Sequence, residues 1–218
     1  MSGFQNWLEY LNDRQELIQE LTIEHAILVI QVMVAAIALS VLLGILVHRV
    51  EVLSNIALSI TSIFITIPSL ALFTLFIPIV GIGKRPAQIA LFMYALLPIL
   101  RNTVTGLNGV NPAVEESAKG MGMSSTQRLL KVKLPLAWPV ILTGIRVSTL
   151  LITGIAAIAT LVGAGGLGDL IQAGFSRLGL PGAYEPLWTG VIFTVLLALT
   201  FDLMYLVLRR FTTPSGIR

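Results

Sequence analysis

Two histidines 23 positions apart, His25 and His48, and no cysteine leave this chain without the clustered ligands of a metal centre or the thiols of a disulfide framework. The two His bracket one apolar run, where interfacial positions explain them. Gly163-Ala164-Gly165-Gly166-Leu167-Gly168 satisfies the dinucleotide pattern G-x-G-x-x-G. It follows a long apolar segment with no strand before it, so a turn that lets backbones approach closely is the fitting reading. No G-x-x-x-x-G-K-[ST] loop occurs, and "GMGMSST" (120–126) lacks the lysine. The chain is therefore not expected to hydrolyse ATP by that route, and it is not read as an enzyme. Asp202 is the acid inside an apolar stretch, a functional candidate by position. Arg146 could pair with it structurally, and that is the plainer reading. What remains is a polar insert, "EESAKGMGMSSTQRLLKVKLP" (115–135), flanked on both sides by segments fit for hydrocarbon.

The elements that must position these residues are membrane helices. Of 218 residues, 56% are hydrophobic and 11% charged, with a mean hydropathy of +0.90. A soluble domain usually carries about 25% charged residues. A spanning helix needs about 20 apolar residues. Residues 26–47 supply 22 without a charge. Residues 52–83 supply 32, read as a helix over about 54–76 that Pro68 kinks and "PIVGIG" closes. Further spans are expected at 86–107, 140–162 and 186–208, making an all-α membrane protein with about five crossings. Placing the insert in the cytoplasm puts ten Lys and Arg inside and four outside, as the positive-inside rule prefers. The N-terminus then lies outside and the C-terminus inside. Residues 1–24 hold five acids and one Arg, unlike a cleavable leader. They read as an outer amphipathic segment, with residues 25–218 as the transmembrane domain.

Within the insert, about 108–139, Asn111-Pro112 is a helix start. Glu115 suits the first turn and can reach Lys119 at i,i+4. Gly120 and Gly122 end this helix after two to three turns. Ser124 to Gln127 forms a capping box that opens a second helix, which Pro135 and Pro139 are expected to stop. Its Arg128, Lys131 and Lys133 can face anionic headgroups. A short capped helix between two membrane helices transmits displacement, whereas a loose loop absorbs it.

Glu116-Ser117-Ala118, three residues, Gly122, nine residues, Val132, one residue, then Leu134-Pro135 resembles the EAA loop of bacterial ABC-importer permeases. Ser117 and Val132 stand where those families have Ala and Ile. The resemblance implies the type I importer permease fold, with Glu115, Glu116, Ser117, Ala118, Gly122, Leu134 and Pro135 in the element that docks on a cytoplasmic ATPase. It also implies two ATPase subunits carrying the ATP and Mg, a second permease copy or paralogue, and an extracytoplasmic substrate-binding protein. This chain is expected to bind no cofactor itself, to bed in lipid in the bacterial cytoplasmic membrane, and to touch no nucleic acid. Residues 66–107 and "LVGAGGLGDLI" (161–171) are similar to the quaternary-amine, or osmoprotectant, branch, which imports glycine betaine, choline and carnitine. Ile65 departs from that branch, which often has Gln there.

A quaternary ammonium has no N–H to donate, so oxygen dipoles and aromatic faces must hold it. Pro68 and Pro98 free backbone carbonyls that can line a path, with Thr66, Ser69 and Tyr94 nearby. Phe64, Phe73, Phe76 and Phe92 are also available, with packing as their plainer role. The alternatives are an importer permease for another small solute, such as an amino acid, and a self-sufficient carrier. Ion-coupled carriers usually need intramembrane acids or broken-helix ion sites, often in repeated halves; five spans with one inner-edge acid, Asp202, and no evident repeat argue against that.

Overall fold

The computed structural model describes residues 3–212, and every regular element among them is helical. Helix α1 (Gly3–Asp13) carries Phe4, Trp7, Leu8 and Leu11 at helical spacing and is tied down by Trp7, whose indole Nε1 donates to Thr189 Oγ1 at 3.0 Å. A single turn residue, Arg14, separates it from α2 (Gln15–Val47). This helix has 33 residues, or about 50 Å at ~1.5 Å per residue, so it outreaches the hydrocarbon core. The composition changes near residue 25, but the backbone does not. No proline interrupts 15–47, and the acidic segment and the first crossing share one helix.

The second crossing differs from the expected kinked helix. Helices α3 (Glu51–Thr66) and α4 (Ser69–Val80) meet at 97°, with Ile67 and Pro68 extended between them. Proline pushes its predecessor out of the helical region and has no N–H to continue the ladder. The chain nevertheless crosses. It leaves α2 at His48, and at its far end the Gly83 N–H donates to Val162 O at 2.8 Å, beside the distal end of the fourth span. With α2, α5 (Lys84–Asn108), α8 (Leu134–Ala156) and α10 (Tyr184–Thr212), five crossings result when the bent pair is counted as one.

Helix α5 is the axis of the bundle, packed on α8, α2, α3 and α4. Ala87, Ala90, Leu91, Ala95, Ile99 and Leu100 along it are wholly buried. Lipid offers little hydrophobic drive between helices, so close contact and interhelical hydrogen bonds hold them, about 0.6 kcal/mol for a typical bond. Ser148 of α8 donates to Ala95 O at 2.8 Å, and Ser40 of α2 donates to Leu96 O at 3.3 Å. These hydroxyls occupy the stretch of α5 that Pro98 disturbs. Where the backbones approach, the sequence has glycine. A Cβ on Gly144 would stand 2.6 Å from Asn102 Cβ and 2.7 Å from Pro98 O. Gly144→Ala is therefore expected to destabilise by about 1–3 kcal/mol, read as a lower thermal midpoint in detergent. Gly154→Ala on the same helix, where a Cβ meets nothing within 4 Å, should leave the midpoint unchanged.

Candidate functional site

The insert folds into α6 (Pro112–Gly120), α7 (Ser125–Arg128) and a π turn, Leu129–Lys133, that runs directly into α8. Asn111 Oδ1 accepts from the Ala113 N–H at 2.9 Å, and Pro112 follows in the first turn. At the other end, Gly122 N–H bonds Lys119 O and Met123 N–H bonds Ala118 O, the paired bonds of a Schellman close. That close requires the left-handed backbone Gly122 adopts, at φ +79°. Gly120 remains helical. The capping box is complete: Gln127 N–H donates to Ser124 Oγ, and Ser124 N–H donates to Gln127 Oε1.

Three expectations for this region change. Glu115 does not seek Lys119. Its carboxylate lies 3.4 Å from Lys133 Nζ and 4.0 Å from Arg128 Nε, so it staples α6 to the start of the fourth span. Arg128 also donates through Nη1 to Met123 O at 2.9 Å. Basic residues expected at the headgroups are thus partly consumed inside the insert, and Lys133 is buried. Nor do Pro135 and Pro139 stop a helix. In the π turn the N–H groups reach back five residues, as Leu134 does to Leu129 O, and Pro135 then falls in the first turn of α8. Pro139 lies within α8, and the Thr143 hydroxyl donates to its carbonyl at 2.9 Å. Helix α7, the π turn and the fourth crossing form one continuous rod, Ser125–Ala156, to which the Glu115 ion pairs tie α6.

The predicted docking residues divide between α6 with its closing turn and this rod. Glu116, Ser117 and Gly122 are exposed, with Met121 at the tip 71% exposed. Ser117 Oγ turns back to Ala113 O at 2.8 Å. Ala118 is buried beneath them, Leu134 packs on the core, and Pro135 is exposed.

The break in the second crossing creates a groove of about 290 Å³ lined by Thr66, Pro68, Ser69 and Tyr94, with Leu151 and Ile155 of α8 opposite. The Tyr94 hydroxyl donates to Ile67 O, the carbonyl set loose at the break. Four of the five path candidates from the sequence therefore share one wall. Pro98 does not; it sits a turn further along α5, where its carbonyl accepts from Asn102 Nδ2 at 2.8 Å and faces Gly144. Phe73 is fully buried, and Phe64, Phe76 and Phe92 pack against the core.

At the end opposite the insert, the glycine pattern is a turn, with no strand before it among the described residues. Gly163, Gly165 and Gly166 all have positive φ, and a Cβ on Gly165 would stand 2.6 Å from the Glu24 carboxylate. Glu24 accepts from the Gly166 N–H at 2.9 Å and pairs with Lys84 at 2.6 Å, so one carboxylate joins α2, α5 and the turn. Nothing in the sequence signals this junction, since its members are 60 and 142 positions apart in the chain (84−24 and 166−24). Both histidines are buried within the protein. His25 is 1% exposed, with Nε2 3.0 Å from Thr153 O, and His48 is buried with Nδ1 2.8 Å from Ile45 O. Asp202 meets Arg146 in a bidentate pair, at 2.5 Å to Nε and 2.7 Å to Nη2. The pairing expected from the sequence is present.

The chain is thus a helical membrane bundle with a capped, polar insert at one end and a broken helix beside an open groove, an architecture suited to a membrane transport component. Residues 27–213 match the family described as "Binding-protein-dependent transport system inner membrane component", and the chain belongs to it. The chain is 40% identical over 199 residues to the choline transport system permease protein OpuBB of Bacillus subtilis, covering 90% of this chain and 89% of that one. It is 39% identical over 216 residues to the osmoprotectant import permease protein OsmW of Salmonella typhimurium, covering 97% and 99%. In fold it is similar to a chain of the MetNI methionine ABC transporter, with a TM-score of 0.78 at 24% identity over 98% of this chain and 100% of that chain. The expected all-α type I importer permease fold is thereby established.

Proposed function

We propose that this chain is the permease subunit of an ATP-driven importer of quaternary-amine osmoprotectants, the betaine, choline and carnitine type. Support for the solute class comes from relatives of about 40% identity whose names specify choline and osmoprotectant transport. The observation that supports the mechanism is that the Glu115 ion pairs tie α6 to a helix that the π turn makes continuous with α8. Two cytoplasmic ATPase subunits hold the ATP and Mg; their closure pushes the exposed face of Glu116, Ser117 and Met121. The rod passes that displacement to α8, which bears on α5 through Gly144 and forms one wall of the Thr66–Tyr94 groove. A second permease subunit completes the pore, and an extracytoplasmic binding protein delivers solute. The insert is cytoplasmic and the N-terminus external, in keeping with the ten-to-four distribution of Lys and Arg.

The decisive measurement is uptake of labelled betaine, choline and carnitine by proteoliposomes holding the full complex, with and without the binding protein. Uptake of at least one should require ATP and the binding protein together. Uptake by this chain alone, without nucleotide, refutes the reading.

A further inference from the structure

Helices α1 and α10 meet at the end opposite the insert around a cavity of about 450 Å³ that none of the elements above uses. Four aromatic rings line it: Phe4 and Trp7 from α1, Tyr184 and Trp188 from the start of α10, with the Glu185 side chain among them. Phe4 and Trp7 lie 6.0 Å apart, ring centroid to centroid. The Trp7 indole is fixed by its bond to Thr189, itself fully buried. The other three residues are more than half exposed, Phe4 at 64%, Tyr184 at 60% and Trp188 at 54%, so the cavity is open to a solute. A cation within about 6 Å of such ring faces is attracted by their quadrupoles. Glu185 adds a formal negative charge and, among the described residues, is in no ion pair. The positive end of α10 opposes a cation here, and a carboxylate in its first turn offsets that. Arg14 and Arg177 lie near enough to Tyr10, beside the cavity, to act on its phenol, as Glu185 also does.

We infer that this aromatic cavity is a binding site for quaternary ammonium solutes on the outer face of the permease, separate from the Thr66–Tyr94 groove. It rests on the solute class proposed above. Aromatic residues are also common at a membrane interface merely as anchors. Two features argue for more than anchorage. The rings come from helices far apart in sequence and converge on one cavity, and a carboxylate is placed among them. A solute with a fixed positive charge and methyl surface matches that lining, whereas a neutral solute of the same shape lacks the charge that the ring faces and the carboxylate attract.

The test uses the permease assembled with its ATPase in lipid nanodiscs, without binding protein. Tetramethylammonium chloride is titrated against indole fluorescence, with Trp138 at the opposite end as a constant background. A saturable change is expected. Glu185→Gln and Trp188→Leu, both at partly or largely exposed positions, should each weaken it about fivefold or more. The neutral choline isostere 3,3-dimethyl-1-butanol, which has the same branched methyl surface without the charge, should produce no saturable change at matched concentration. Equal responses to the two compounds, or an unaltered titration in both variants, overturn the site and leave interfacial anchorage as the role of these rings. If labelled betaine, choline and carnitine uptake succeeds while the titration is flat, the site fails and the transport reading stands. A saturable, variant-sensitive titration with no uptake of any of the three keeps the site and removes the transport reading.

Discussion

Gly122→Val is expected to lower ATP-driven uptake about tenfold while the amount of protein in the membrane stays normal. The residue holds φ +79° in the Schellman close of α6, a conformation that is unfavourable by roughly 1–2 kcal/mol for an L side chain and worst for a β-branched one. Each 1.4 kcal/mol is a factor of about ten. Nothing stands within 4 Å of where a Cβ would be, so the effect is conformational and not a collision. The strain is relieved by re-aiming the turn, which tilts the lever face away from its ATPase. The series Gly122→Asn, Gly122→Ala and Gly122→Val should therefore lose uptake in that order, because Asn tolerates the left-handed region best. Gly120→Ala, two residues away and helical with open space around it, should transport normally. Uptake and ATPase rate in the same proteoliposomes check this; an unchanged Gly122→Val carrier removes the lever from the mechanism.

The second large effect is expected at the Arg146–Asp202 pair. Asp202→Ala strands a guanidinium within the crossing helices, where neither lipid nor the neighbouring side chains replace the lost bidentate partner. Less protein should reach the membrane, and its thermal midpoint should fall further than for Gly144→Ala. The double variant Arg146→Met with Asp202→Leu should recover most of the loss, since removing both charges is far less harmful than removing one. Uptake by the double variant separates the two roles an intramembrane acid can have. A structural pair predicts a stable, transporting protein. A proton or cation relay predicts a stable protein that no longer transports, and that outcome would reassign Asp202.

Much of the fold follows from one-dimensional pattern. Apolar runs of about 20 residues mark the crossings because a bilayer of fixed thickness demands that length, and the polar insert stands out against them. Capping chemistry is local as well: Asn111-Pro112, the Ser124–Gln127 box and Gly122 act on their own neighbours, so the ends of α6 and the start of α7 are visible in the letters. Proline is different. It reports that a helix ladder loses a donor, yet Pro68 breaks its helix by 97° while Pro135 and Pro139 are absorbed into one. The outcome depends on position: Pro135 falls in the first turn of α8, after a π turn, where no N–H is needed, and Pro139 is carried within the same helix.

The candidate site divides along the same line. The letters alone establish that the chain crosses a membrane about five times, carries a capped lever and has no phosphate loop of its own. Each of these depends on residues close together in the chain. Helix packing supplies the rest: Glu115 grips Lys133 and Arg128, Tyr94 answers the carbonyl freed before Pro68, and Glu24 joins two helices to the glycine turn. The same packing removes Pro98 from the groove. Those contacts join residues up to 142 positions apart, and they form only where helices approach in space, which no periodicity encodes.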